Sequence, residues 1–88
     1  MNYAYKKVKI PYIQYNGKNA EEIKKMANSD HIGDYRFTIG DNFIKIHGYN
    51  GYNHWTLTAN IGDYVFINQQ EETDVLQAEK FLKYYELA

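Results

Sequence analysis

The chain has 88 residues, 44% of them hydrophobic and 24% charged, with one proline and no cysteine. Those values describe one small folded domain over residues 1–88; surface-to-mass scaling buries roughly 64% of the extended chain's area, enough for a thin core and too little for a deep lidded cleft. The lack of cysteine excludes disulfides, thiolate metal sites and a cysteine nucleophile, and the net charge of −1 disfavours both a nucleic-acid binder and an acidic nucleic-acid mimic.

No apolar run approaches the roughly 18 residues that a membrane span needs. The opening MNYAYKKVKI carries charge without an apolar core, so a signal peptide and a membrane role are not expected. Charge is uneven along the chain. Met1 to Lys45 holds eight basic and five acidic residues, and Ile46 to Ala88 holds two and six. That imbalance reads either as a chance distribution of surface charge or as a dipolar surface that steers a charged partner. Ten Tyr and nine Asn stand against a single Arg. Tyr and Asn supply flat apolar area and adaptable hydrogen bonds, as in a paratope, although an A+T-rich coding sequence enriches the same residues.

The first predicted strand is Lys7 to Tyr15, where Val8 and Ile10 alternate with Lys7 and Lys9. Pro11 cannot donate to a ladder, which places the strand at an edge or marks a bulge. Lys6, Lys7 and Lys9 then guard that edge against pairing between chains. Interleaved with Tyr3, Tyr5 and Tyr12, they are also a weak nucleic-acid signature. Asn16-Gly17 predicts a turn. A short helix follows over Ala20 to Asn28, with Asn19 as N-cap and Glu22 reaching back to complete a capping box. Its apolar stripe is Ile23, Met26 and Ala27. Ser29-Asp30 ends it.

From Asp34 to Ile67 strand and turn alternate. Tyr35 to Ile39 and Asn42 to His47 form a hairpin about Gly40-Asp41. His47 to Asn53 reads as a loop, and His54 to Ala59 is a strand with Trp55, Leu57 and Ala59 on one face. Gly62 supplies positive φ and Asp63 bonds a backbone donor in the turn before strand Tyr64 to Ile67. Glu71 to Tyr85 is ambiguous: propensity favours a helix from about Asp74, while tertiary pairing would keep Thr73 to Leu76 extended. Of Tyr84-Tyr85, one ring is expected on the sheet. The fold class is α+β: a small single domain with an antiparallel sheet of four or five strands and one or two short helices.

With these elements placed, the chain resembles a family of small phage-encoded proteins of unassigned function. The resemblance rests on Tyr5-Lys6-Lys7, the strand to Gln14-Tyr15, Asn16-Gly17, Asn19 and Glu21-Glu22-Ile23. It continues with Ile61-Gly62-Asp63-Tyr64-Val65 and closes on Glu79, Phe81 and Tyr85-Glu86. Where similar proteins carry a Gly-Glu-Phe-Tyr-Pro-like strand, this chain has Thr73-Asp74-Val75-Leu76-Gln77-Ala78. The resemblance implies a phage or prophage origin and a place in the cytoplasm of the infected bacterial host. It implies no active site.

The residues themselves point to binding without catalysis. His31, His47 and His54 fit no local metal motif, and no cofactor is expected. His47 and His54 flank the loop and face each other if it closes a hairpin, with Asp41 and Asp63 as the nearby carboxylates in sequence. The HGYNGYN stretch lacks the Lys-Ser/Thr ending and following helix of a phosphate loop. It reads either as a polar hairpin tip or as a recognition loop, with Tyr49, Tyr52, His54 and Trp55 as anchors and Asn50 and Asn53 as hydrogen-bonding neighbours. The leading expectation is a steric inhibitor of a bacterial anti-phage defence protein, such as a CRISPR effector or another immune enzyme. One alternative is a sponge for a nucleotide immune signal, built at a homo-oligomer interface with Arg36 and Lys45 as phosphate cations. Another is a nucleic-acid- or virion-associated accessory protein, which the near-neutral charge disfavours.

Overall fold

The computed structural model describes residues 2–5 and 9–87. Its elements run β1 (Asn2–Tyr5), β2 (Lys9–Gln14), α1 (Ala20–Asn28), β3 (Arg36–Ile39), β4 (Phe43–Tyr49), β5 (His54–Asn60), β6 (Tyr64–Ile67), β7 (Thr73–Leu76), α2 (Ala78–Tyr84) and β8 (Glu86–Leu87). The α+β class stands, but the expected single sheet is two. A five-stranded sheet has the order β7-β6-β2-β1-β8, and a three-stranded sheet the order β3-β4-β5. Every pairing is antiparallel. The chain splits because β3, β4 and β5 pair in sequence through two hairpins, while β6 returns to β2 across about fifty residues. The outline is flattened, 31 × 29 × 19 Å.

Strand β2 lies inside the five-stranded sheet and is no edge strand. Pro11 is tolerated because the ladder to β6 begins only at Tyr12, opposite Phe66, so the missing donor falls where that ladder ends. Lys6 and Lys7, invoked as edge guards, lie outside the described residues with Val8, as do the side chains of Tyr3 and Tyr5.

The large sheet separates two cores. One face meets α1 and the small sheet. There Tyr15, Ile23, Met26, Ala27, Tyr35, Ile44, Ile46, Ala59 and Val65 are buried together. The predicted stripe of α1 supplies three of these residues. The other face carries α2, with Ile10, Tyr12, Tyr64, Phe66 and Phe81. Phe81 is the centre of that aromatic group: its ring stacks on Tyr64 at 4.4 Å and on Tyr85 at 4.9 Å, and meets Phe66 at 5.2 Å. Tyr85 is the terminal tyrosine that reaches the sheet, while Tyr84 is exposed.

One local expectation is corrected and one open alternative is decided. Asn19 occupies the N-cap position of α1 but makes no side-chain cap bond. Its amide turns back, accepting from Asn16 N–H at 3.0 Å and donating to the Gln14 carbonyl at 2.8 Å. The capping box therefore does not form; the side chain staples the turn, where Gly17 takes φ +84°. At the other end, Thr73 to Leu76 is strand and the helix starts at Ala78, later than Asp74. Pairing decides this: Val75 lies opposite Val65 in the β6–β7 ladder, and the paired β-branched side chains outweigh helix propensity.

Candidate binding surface

The small sheet is built from alternation. Along β4, Ile44, Ile46 and Gly48 point to the core, while Phe43, Lys45, His47 and Tyr49 point outward. The register carries the same sorting across the sheet. His47 lies between Arg36 and Thr56, and Lys45 between Thr38 and Thr58. The ring of His47 exchanges hydrogen bonds with the Thr38 hydroxyl at 2.9 Å and the Thr56 hydroxyl at 3.1 Å. That row fixes the imidazole across three strands. Lys45 Nζ sits 5.6 Å from the centre of the Phe43 ring.

Strand β4 runs two residues further than the sequence pattern predicts, so the loop is only residues 50–53. In this register Tyr49, not His47, lies opposite His54. The two histidines therefore do not face each other. Tyr49 and His54 stack with ring centres 4.3 Å apart and planes 20° from parallel.

The tip is held by one side chain. Asn50 Oδ1 accepts from Tyr52 N–H and Asn53 N–H, each at 2.9 Å, while Asn50 N–H donates to the Asn53 carbonyl at 3.3 Å. Gly51 takes φ +95°, which a β-carbon would strain. Tyr52 projects from this turn 90% exposed, and Tyr49 is 53% exposed. Asn50, Asn53 and His54 are exposed beside them.

Trp55 is parted from the other five candidates. It is half-buried on the inward face, above Gly48 and edge-on to Tyr35 at 6.4 Å. A β-carbon on Gly48 would stand 2.4 Å from the indole ring. The alternation that put Trp55 with Leu57 and Ala59 was itself the signal that its ring belongs to the core.

The remaining candidates do not converge. His31 Nδ1 donates to the Glu71 carbonyl at 2.7 Å, and its Nε2 lies 3.8 Å from a Glu72 carboxylate oxygen. Asp63 acts in its turn, accepting from Asn60 N–H at 2.9 Å beside Gly62 at φ +99°. Among the described residues no group of three or more His, Asp or Glu is placed to hold a metal ion. No helix among them is long and apolar enough to cross a membrane.

Sequence reasoning missed two features. One is an open groove of about 690 Å³ beside α1, lined in part by Gln14, Asn19, Glu22, Lys25 and Met26. Arg36 and Lys45, the cations named for a nucleotide sponge, are not among its lining residues and lie instead on the outward face of the small sheet. The other is the carboxylate of Asp30. Its Oδ2 accepts from the Tyr35 hydroxyl at 2.6 Å, Thr73 N–H at 2.9 Å and the Thr73 hydroxyl at 2.7 Å. Its Oδ1 accepts from Ile32 and Gly33 N–H. Burial alone would raise this acid's pKa, but the hydrogen bonds outweigh it and hold the group below its ordinary value. Tyr35 is pushed up to about 12, first by burial and then by its bond to Asp30. With every acceptor position serving the fold, this pair is a structural clamp.

The chain matches no protein-family model, no curated protein and no solved structure.

Proposed function

We propose that this chain is a non-enzymatic binding protein that acts by covering a functional surface of a partner protein, with the β4–β5 hairpin tip as its anchor. The observation that carries the reading is Tyr52: a large amphipathic ring, 90% exposed, on a turn held by two hydrogen bonds accepted by Asn50 Oδ1 and one donated by Asn50 N–H. An exposed aromatic on a pre-ordered turn binds with little further loss of backbone freedom. Tyr49, stacked on His54, adds a second exposed ring beside it. The phage-family resemblance supplies the class of target, a bacterial anti-phage defence protein, and with it the cytoplasm of the infected host as the place of action.

The test is affinity capture from infected-host lysate with wild type and Tyr52→Ala, followed by calorimetric titration with the captured protein. The variant keeps its melting temperature and loses at least about 2 kcal/mol of binding free energy, as for a hot-spot tyrosine. Equal affinity for both forms removes the tip from the interface.

A further inference from the structure

We infer that the outward face of the β3-β4-β5 sheet is a docking platform for single-stranded nucleic acid, a reading that goes beyond the hairpin tip and shares with it only the Tyr49–His54 pair. The chain-wide charge balance hides this face. Antiparallel register puts Arg36, Thr38, Phe43, Lys45, His47, Tyr49, His54, Thr56 and Thr58 on one surface. That surface carries two permanent cations and, among the described residues, no carboxylate. The acids lie elsewhere: on α1, in the turns at Asp30, Asp34, Asp41 and Asp63, and from Glu71 onward.

The arrangement suits a strand with phosphates on one side and bases on the other. Arg36 lies opposite His47, and Lys45 is two residues from His47 on the same strand. Arg36 and Lys45 are thus diagonal neighbours, roughly 7–8 Å apart at the backbone, on the scale of successive phosphates. Arginine presents a fork that matches phosphate oxygens, and lysine a point charge. One end of the face carries the exposed, stacked Tyr49–His54 pair, and the other the half-buried ring of Phe43. Bases of any identity stack on such rings, so the platform selects a polymer and not a sequence. Thr58 adds an exposed hydroxyl beside Lys45. A duplex would bury its base faces and leave the aromatic rings without partners.

The test is fluorescence anisotropy with labelled oligo-dT and oligo-U of about 12 nucleotides, titrated with the full chain from about 20 mM salt upward. Two phosphate contacts on a single strand give a log–log salt slope of about −1.4. The double substitution Arg36→Gln/Lys45→Gln weakens binding at least about tenfold and flattens the slope toward zero. Tyr49→Ala weakens binding about 5- to 150-fold with the slope retained, as expected for a lost base stack. Lys80→Gln/Lys83→Gln, on α2 beyond the large sheet, keeps wild-type affinity and slope. All of these substitutions are on the surface, and circular dichroism and melting temperature verify folding. No binding at low salt, or an equal loss from the α2 pair, overturns the proposal. So does heparin competing as well as the oligonucleotide while Tyr49→Ala has no effect, which would mark a general polyanion or acidic-protein site.

Discussion

Thr73 donates both its backbone N–H and its hydroxyl to one oxygen of Asp30, a residue 43 positions earlier in the chain. The same oxygen accepts from the Tyr35 hydroxyl. One carboxylate thereby ties the exit of α1, the approach to β3 and the start of β7. Asp30→Ala leaves five donors without this acceptor, three of them on the buried residues Tyr35 and Thr73, and costs about 3 kcal/mol or more in urea unfolding. Asp30→Asn keeps acceptor capacity and costs less. The sign with pH follows from the lowered pKa. The contribution is fully present above the unfolded value near 3.8 and is lost as pH falls through the lower folded value. Wild type therefore loses stability on acidification below about pH 4, and Asp30→Asn shows a shallower loss there.

Tyr35 gives the opposite edge of the pH range. Its folded pKa is raised from 10.0 to about 12, so its share of stability is intact below pH 10 and is lost as pH rises through 12. In that window the unfolded chain releases a proton that the folded chain still holds. The loss is on the order of 2 kcal/mol. Tyr35→Phe removes the steepest alkaline decline from stability curves measured by denaturant titration. An unchanged alkaline limb would show that Tyr35 ionises like a solvent-exposed phenol.

Gly48→Ala addresses the seat of the single tryptophan. The added methyl stands 2.4 Å from the indole, so the ring has to leave its place against Tyr35. Stability falls by about 1–3 kcal/mol, as for overpacking elsewhere in cores. Tryptophan emission shifts to longer wavelength as the ring moves into water. Unchanged emission would mean that the backbone, and not Trp55, had given way.

Asn19→Asp separates a staple from a cap. A cap site accepts aspartate readily, and the positive end of the helix favours it. Here the Asn19 amide group donates to the Gln14 carbonyl, a bond that a carboxylate cannot make. Aspartate is therefore destabilising, by about 1 kcal/mol in thermal unfolding. A neutral or stabilising result would return Asn19 to the role that its position suggested.

Local signals were legible in the chain wherever local chemistry decides the outcome. Ile23, Met26 and Ala27 make the buried stripe of α1, and Gly62-Asp63 forms its turn by the predicted bonds. Trp55, Leu57 and Ala59 share a face for the same reason. Features settled by distant partners were not legible. Pro11 reads as an edge marker until β1 and β6 flank β2. Thr73 to Leu76 reads as either helix or strand until Val65 and Asp30 claim it for the sheet. At the hairpin tip the residue types could be read, but not the register. A loop of residues 50–53 in place of 47–53 exchanged His47 for Tyr49 as the partner of His54, and a one-residue change of parity sends a ring to the opposite face.

Strand β6 gives Val65 to the core beneath α1 and Tyr64 with Phe66 to the core beneath α2. A wall common to two chambers joins their fates. Loosening either side withdraws support from the same four residues, so the domain melts in one step in spite of its two sheets. The amide protons of Val65 and Phe66 are then the slowest to exchange with deuterated solvent, and disruption on the α2 side, by Phe81→Ala, speeds their exchange as much as disruption beside α1.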